Sequence, residues 1–142
     1  MLNHYIIMNS VFRKFLHVVV FMLLFLWQLP QNMVALLILL FSKTEGLIAY
    51  RHYCFAFKTK LPRKASGVSL GNFALVSPDC AHNEEIVRHE LDGHTVDSKI
   101  FGPLYLLVIG LPSVLHLLHY DGSSEYNDFY TERWANKHAG LR

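Results

Sequence analysis

The sequence predicts a mostly helical protein of the α+β class, in which an apolar N-terminal segment precedes one small domain. Hydrophobic residues make up 52% of the 142-residue chain, a larger share than an ordinary soluble domain of this size carries. The apolar residues fall in long runs, and short aromatic and β-branched stretches between them indicate strands. We therefore expect a membrane-anchoring segment at residues 1–45 and a folded domain at residues 46–142.

Two apolar runs dominate the anchoring segment. Residues 15–29 and 33–41 are almost wholly apolar, and a polar stretch with Pro30 separates them at 28–32. A helix needs about 20 apolar residues to cross the hydrocarbon, so neither run suffices alone. The segment is predicted to form either one long, kinked span or a shallow hairpin with residues 28–32 inside the membrane. Basic residues at both ends favour the hairpin with both ends in the cytoplasm.

Charge and cysteine content narrow the possible functions. The net charge is only +2 and the basic residues are not spread along one face, so nucleic acid is not expected as a partner. Membrane lipid is expected instead. Cys54 and Cys80 lack the close spacing of a zinc knuckle or redox motif and are predicted to be reduced. The first apolar run is not followed by a small-residue cleavage site, which argues against a cleaved signal peptide.

The folded domain should begin with β-structure. Aromatic and β-branched residues at 50–57 and 68–76 predict a short β-hairpin or two adjacent strands. Pro62 and Gly67 lie in the connection between them, as expected of a turn. A basic cluster near this connection has two interpretations, a solvated turn or a grip on anionic lipid headgroups. It consists of Lys58, Lys60, Arg63 and Lys64.

The helix with the strongest chemical signal is predicted to follow these strands. Residues 77–79, Ser-Pro-Asp, combine a capping side chain with proline in the first turn and predict its start. The helix should run through His94 toward Ile100, and Gly102 with Pro103 should end it.

Two further helical segments are expected beyond that end. Residues 104–118 are apolar but contain Gly110 and Pro112, so we expect a bend at the membrane interface rather than a straight span. A final helix over residues 126–138 should end at Gly140.

Residues 89–94, His-Glu-Leu-Asp-Gly-His, carry the chemical signal. Two imidazoles on one helical face, with a glutamate beside the first, are typical of zinc hydrolases. Here His89 and His94 are five residues apart, which on a regular helix would separate their directions by about 140°. A single π-helical turn would absorb the extra residue, and Gly93 would tolerate the distortion. Glu90 is then the candidate general base.

Glu132 on the final helix is the candidate third ligand, with Asp97 as the alternative. Asn136 lies one turn after Glu132 on the same face and would orient a ligand histidine. Asp97 lies three residues after His94 and would face the metal on a regular helix. The candidates for stabilising an oxyanion are Tyr126, Tyr130 and His119.

A His-Glu…His helix completed by a later helical glutamate resembles the gluzincin type of zinc metallopeptidase. The chain also resembles a group of small membrane-associated bacterial proteins, which usually read His-Glu-aromatic-Gly-His, over residues 27–32, 68–76, 87–98, 102–113 and 130–140. The His-Glu-x-x-Gly-His spelling is similar to that of dipeptidyl peptidase III, whose Glu-x-x-Ala stretch matches Glu132 to Ala135. The resemblance implies a minimal zincin-like core, in which a short β-hairpin and an active-site helix are joined by a glutamate-bearing C-terminal helix.

The expected function is zinc-dependent hydrolysis of a peptide or amide bond at the bacterial cytoplasmic membrane, with the site on the cytoplasmic side. His89, His94 and Glu132 would hold Zn²⁺, and the partners would be membrane lipid and a peptide or membrane-protein substrate. The alternative is a non-enzymatic small membrane protein whose His-rich helix is structural, decayed or merely sequesters metal. In a sequestering site, Glu90 or Asp92 would be a metal ligand.

Overall fold

The computed structural model describes residues 2–62, 65–120 and 126–141, and it confirms the α+β class. Two N-terminal helices precede a four-stranded sheet, and short helical segments complete the chain. In chain order the elements are α1 (Leu2–Trp27), α2 (Leu29–Phe41), β1 (Thr44–Arg51), β2 (Cys54–Thr59), β3 (Gly67–Leu70), β4 (Phe73–Val76), α3 (Glu84–Arg88), the first π-turn (His89–His94), α4 (Thr95–Phe101), a 3-10 turn (Gly102–Leu104), the second π-turn (Leu106–Gly110), α5 (Leu111–His119), a 3-10 turn (Tyr126–Asp128) and α6 (Tyr130–Ala139).

The sheet consists of two antiparallel hairpins, β1–β2 and β3–β4, joined by parallel pairing of β2 with β4. The strand order is β1-β2-β4-β3, so β1 and β3 form the edges. Strands occupy both predicted regions, but each region also contains a tight turn that was not predicted. His52 and Tyr53 make the first turn with φ of 52° and 65°, and Gly71 makes the second with φ of 65°. Two non-glycine residues with positive φ rarely form a turn, so no residue pattern indicates the first turn.

The two faces of the sheet differ in side-chain size. One face is aromatic and joins the apolar cluster around Ala35 of α2. Its rings, with centroids 6.2 to 6.5 Å apart, belong to Phe55, Phe57 and Phe73. The other face carries Ala56 and Ala74, which are fully buried and pack against Leu91 of the first π-turn. Small residues on this face let the π-turn approach the sheet closely, and the sheet lies between it and the N-terminal helices.

The N-terminal segment consists of two helices that meet at Gln28. Within α1, the stretch Ser10–Trp27 is long and apolar enough to cross a membrane by length and composition, whereas α2 is shorter. The polar side chains at the junction are fully buried in the protein, namely Gln28, Gln31 and Asn32. Protein rather than lipid therefore surrounds the polar residues that the sequence places between the two apolar runs.

Hydrogen bonds attach this junction to the folded domain. Gln31 Nε2 donates to Gly102 O at 2.8 Å and to Ser98 Oγ at 3.1 Å. Asn32 Nδ2 donates to Asn72 Oδ1 at 2.9 Å, and Asn32 Oδ1 accepts from the backbone N–H of Asn72 at 2.7 Å. Buried amides with specific partners fix the relative position of the elements that carry them. The junction is therefore an integral part of the domain.

Two glycines make room for the junction. A Cβ at Gly102 would overlap the ring of Trp27, and a Cβ at Gly71 would overlap the side-chain amide of Asn32. Both glycines also have positive φ, which disfavours any other residue. The indole Nε1 of Trp27 donates to Lys99 O at 2.9 Å, next to the Gly102 contact. The end of α1 is thus seated against the chain between α4 and the segment that follows it.

The helix that carries the site begins later than predicted. Asn83 caps α3, because its Oδ1 accepts the backbone N–H groups of Glu85 at 3.0 Å and Ile86 at 3.4 Å. Residues 77–79 precede the helix and are not part of it, so the predicted start is wrong. An asparagine cap directly before two acidic residues is a complete helix start, and it takes precedence over the proline signal upstream.

The predicted helix ends are confirmed, at Gly102 for α4 and at Gly140, with φ of 66°, for α6. The apolar segment does not bend at Gly110 or Pro112 as predicted: the chain turns by 118° between Glu84–Leu104 and Leu106–His119, and residues 106–119 then continue as helix. The final helix is shorter than predicted, because the residues from Tyr126 to Asp128 form a separate 3-10 turn.

The buried junction predicts a strong effect of Asn32→Ala. The substitution leaves the Asn72 amide and backbone N–H without their partner in a buried position, which should lower the free energy of unfolding by about 2 to 3 kcal/mol. Met33→Ala is the matched control, since Met33 is adjacent and 49% exposed, and it should cost less than about 1 kcal/mol. Thermal and denaturant unfolding in detergent measures both, and equal effects would contradict the assigned role of Asn32.

Candidate metal centre

The first π-turn brings the two motif histidines together. Their rings lie with centroids 4.8 Å apart and planes at 90°. A regular α-helix would point side chains five residues apart in directions about 140° different. The π-helical geometry over His89–His94 removes that difference, which confirms the predicted bulge.

Gly93 is required by packing rather than by backbone conformation. Its φ is not positive, so another residue could adopt this backbone. A Cβ at Gly93, however, would lie 2.6 Å from the backbone oxygen of Ala135 in α6. The absence of a side chain therefore lets α6 come into direct backbone contact with the π-turn, which is what delivers the residues of α6 to the histidines.

Three potential ligand atoms converge at this contact. His89 Nε2 lies 3.2 Å and His94 Nε2 lies 3.8 Å from Glu132 Oε2. The ligand atoms offered by the three residues all lie within 4.8 Å of one another. Ligands at about 2.0 to 2.2 Å from a tetrahedral zinc ion are about 3.3 to 3.6 Å apart. The arrangement thus fits a first-row metal ion with shifts of an ångström or less, and it is the predicted ligand set.

His89 is hydrogen-bonded from behind at Nδ1, and the Nδ1 of His94 faces a carboxylate. His89 Nδ1 lies 2.8 Å from Asn136 Oδ1, as the sequence predicts for Asn136. His94 Nδ1 lies 3.5 Å from Asp97 Oδ2. Asp97, the alternative ligand of the sequence analysis, therefore lies on the far side of the His94 ring from Glu132. An acceptor at Nδ1 fixes the ring orientation and the tautomer, so that Nε2 presents its lone pair to a metal.

Sequence reasoning missed three residues that complete this support. Ser113 of α5 donates to Glu132 Oε1 at 3.1 Å, and Thr131 donates to the same oxygen at 3.2 Å, which leaves Oε2 toward the histidines. His138 Nδ1 lies 2.9 Å from Asp97 Oδ1. The Ser113 and His138 contacts join different helices, so no local spacing signals them, whereas Thr131 is adjacent in sequence to Glu132.

Glu90 lies beside the ligand cluster without belonging to it. Ser69 Oγ on the edge strand β3 lies 2.5 Å from Glu90 Oε2 and 2.9 Å from Glu90 O. Gly67 of the same strand makes room, because a Cβ there would overlap the carboxylate. Asp92, the extra residue of the motif, is paired elsewhere, with its Oδ2 3.0 Å from Arg51 Nη1. The two carboxylates next to the histidines in sequence thus have distinct places.

The carboxylates around His89 and His94 raise the pKa values of both histidines. Burial alone would lower the pKa of His94, but its contacts with Asp97 and Glu132 and the charge of Glu90 raise it to about 10. Burial would also lower the pKa of His89, but the hydrogen bond to Glu132 together with the charges of Glu90 and Glu132 raises it above its usual range. Burial would raise the pKa of Glu132, but both histidines hold it well below its usual range. The cluster therefore favours positive charge among its carboxylates, which a metal cation provides.

The three oxyanion candidates have different surroundings. Burial, together with the charges of Glu132 and Glu90, raises the pKa of Tyr126 to about 12, so this phenol lies within electrostatic reach of the site. The hydroxyl of Tyr130 donates to a backbone carbonyl of the second π-turn. His119 is exposed and contacts a carbonyl one turn earlier in α5. Tyr126 is the candidate that the surroundings favour.

Comparisons with known proteins do not assign the chain to a family. No protein-family model, curated protein or solved structure matches it. The resemblance to gluzincins therefore stays an expectation from the motif, and the geometry of the site carries the functional argument.

The backbone contact at Gly93 predicts that Gly93→Ala separates α6 from the π-turn. A Cβ facing a backbone oxygen at 2.6 Å cannot be relieved by a side-chain rotation, so the free energy of unfolding should fall by about 2 to 3 kcal/mol. Gly110→Ala in the second π-turn is the control, because its nearest neighbour is the Leu106 side chain at 3.4 Å. Unfolding in detergent compares the two, and a Gly93→Ala variant as stable as Gly110→Ala would show that the contact is not tight.

Proposed function

We propose that the protein is a zinc-dependent metallopeptidase at the membrane. The observation that carries the proposal is the convergence of His89, His94 and Glu132 within 4.8 Å, with Glu90 beside the cluster but outside it. Two imidazoles and one carboxylate form the ligand set that catalytic zinc sites use when a fourth position stays open for water or substrate.

The metal would be held by Nε2 of His89, Nε2 of His94 and Oε2 of Glu132, which face one another. When bound there, a zinc ion lowers the pKa of a coordinated water toward 7 and polarises a carbonyl oxygen. The residues behind the ligands keep those atoms in place before metal or substrate arrives, which reduces the cost of organising the site.

Glu90 is suited to take the proton from the attacking water and to pass it to the leaving amine. Its carboxylate is 5% exposed, and Ser69 holds Oε2 at 2.5 Å, so its position is fixed. Tyr126 stays protonated at neutral pH, because its pKa is about 12, and can donate a hydrogen bond to an oxyanion. These roles correspond to hydrolysis of a peptide or similar amide bond.

The protein partners of Glu90 and of Asp92 favour hydrolysis over metal sequestration. A sequestering site would gain affinity by using these carboxylates as additional ligands, whereas a hydrolase needs a base that is near the metal and not bound to it. Glu90 contacts Ser69, and Asp92 contacts Arg51 3.0 Å away. Both therefore have protein partners other than the cluster.

The membrane location rests on α1 and on the exposed apolar surface. None of the Ser10–Trp27 stretch is fully buried in the protein. Phe12, Phe15 and Leu23 are each more than 60% exposed, a state that water penalises and lipid does not. We place the protein at the bacterial cytoplasmic membrane with its site on the cytoplasmic side, where it would meet peptide or membrane-protein substrates.

Glu90→Gln should bind zinc with wild-type stoichiometry and lose hydrolysis by at least about a thousandfold, because the amide cannot accept the proton. Zinc content by atomic absorption and cleavage of a peptide mixture by mass spectrometry measure the two effects. Glu85→Gln, an exposed carboxylate one turn earlier, is the control and should change neither. Loss of zinc from Glu90→Gln would contradict its role as a base.

Glu132→Ala should lose zinc at stoichiometric concentrations, since it removes one of three protein ligands. Asp97→Ala removes the carboxylate behind His94 and its contact with His138 but no metal ligand, so it should weaken zinc affinity by about 10- to 100-fold. Arg133→Ala, an exposed neighbour of Glu132 on α6, should leave zinc affinity unchanged. If Asp97→Ala released zinc and Glu132→Ala retained it, the ligand set would have to be reassigned.

A further inference from the structure

The segment after the 118° bend exposes a continuous apolar stripe. Its side chains are between 46% and 66% exposed and recur at helical spacing over about three turns. They are Leu107, Leu111, Val114, Leu115 and Leu118. Residues 100–120 contain no Asp, Glu, Lys or Arg. A stripe of this length without a flanking charge is too apolar to face water.

The opposite side of the same segment contacts the metal centre. Ser113 donates to Glu132 Oε1 at 3.1 Å, and His116 Nε2 lies 3.2 Å from Tyr126 O. Tyr105 and Ile109 are buried in the core on this side. One helix therefore separates the apolar stripe from a proposed metal ligand.

The seating of α1 identifies lipid as the occupant of the stripe. Trp27 ends the apolar stretch of α1 and packs on Gly102, five residues before the stripe begins at Leu107. A tryptophan at the end of an apolar helix is typical of the membrane–water boundary, where its indole N–H finds a polar partner, here Lys99 O. The end of α1 thus lies next to the start of the stripe, so the lipid that covers α1 would also reach the stripe.

The thickness of one helix sets the distance from this lipid to the site. An α-helix with side chains is about 10 to 12 Å across, so Glu132 lies about 10 Å from the acyl chains that contact the stripe. The headgroup region of one leaflet is about 5 to 8 Å thick. The metal centre would therefore lie just outside the headgroups. An extended peptide rising 3.3 Å per residue would reach it in about three residues along the shortest path, and in about six where an oblique path is about twice as long.

We propose that the stripe of α5 and the preceding turn inserts into the lipid, and that the site acts on segments of integral membrane proteins where they leave the bilayer. The scissile bond then lies about three to six residues from the end of a transmembrane helix. This inference rests on the proposed peptidase function for its substrate and on the exposed stripe for its membrane contact, so separate experiments test the two parts.

The membrane contact is tested by fluorescence quenching in vesicles of phosphatidylethanolamine and phosphatidylglycerol with brominated acyl chains. Single-cysteine variants at Leu107, Leu111 and Leu118, made with both native cysteines replaced, carry an environment-sensitive dye. Quenching there as strong as at Leu23 of α1, with little at the exposed Arg133 of α6, supports insertion. Quenching at Leu23 without quenching along the stripe overturns it. This measurement requires neither zinc nor activity.

The substrate class is tested with the full-length, zinc-loaded protein in the same vesicles. The probe is a transmembrane peptide followed by a randomised segment that can extend about 60 Å from the bilayer, and mass spectrometry locates the cuts. Cuts concentrated in the first three to six residues or so support the inference. Cuts spread evenly, or equal cleavage of the same segment without its anchor, overturn it. Absence of any cleavage would instead overturn the proposed function, while the quenching result still decides the membrane contact.

A double variant of the stripe tests whether membrane contact is needed for cleavage of anchored peptides. Leu111→Gln combined with Leu118→Gln should reduce cleavage of the anchored peptide by at least about tenfold. Each substitution replaces an apolar side chain that lipid would cover with a polar one, which weakens membrane insertion. Zinc stoichiometry and cleavage of the unanchored segment should not change. Leu47→Gln, a 55% exposed leucine on β1, is the control. Equal loss toward anchored and unanchored peptides would mean that the stripe does not act through the membrane.

Discussion

The contact between the first π-turn and α6 is the constraint on which the rest of the site depends. Gly93 allows the two backbones to touch at Ala135, and no larger residue fits between them. Glu132 lies three residues before Ala135 and Asn136 directly after it, so the contact brings both side chains to the histidines of the π-turn. A wider separation would leave each histidine with an unsatisfied ring nitrogen in a buried position.

The support of His94 and the docking of the N-terminal helices meet on one short stretch of α4. Asp97 is fully buried and faces His94 on one side and His138 of α6 on the other. Adjacent to it, Ser98 accepts a hydrogen bond from Gln31 in the junction between α1 and α2. The N-terminal helices therefore pack against the same short stretch of α4 that supports a proposed metal ligand. Removing the N-terminal helices would expose that stretch to water, which argues against treating them as a detachable unit.

Sequence predicts this molecule well where the signal is local or chemical. The five-residue spacing of His89 and His94 indicates a π-turn, and the later glutamate completes the cluster that the structure contains. Prediction failed where distant contacts decide the outcome. His138 has no local signal, since its partner Asp97 is brought to it by packing of α4 on α6. The polar junction around Gln31 looked like an interruption of an apolar run, because its partners lie about seventy residues away in sequence.

The π-turn also explains how the chain accommodates an extra residue in its motif. One residue added to a regular helix rotates everything after it by about 100° relative to what precedes it. In this fold that rotation would turn Asp97 away from His138 and Ser98 away from Gln31, so the support of His94 and the docking of α1 and α2 would be lost together. Widening a single turn confines the change to Asp92, whose carboxylate reaches Arg51 at the end of β1. The helix before the turn and the helix after it can then both keep the contacts that position the three ligand residues.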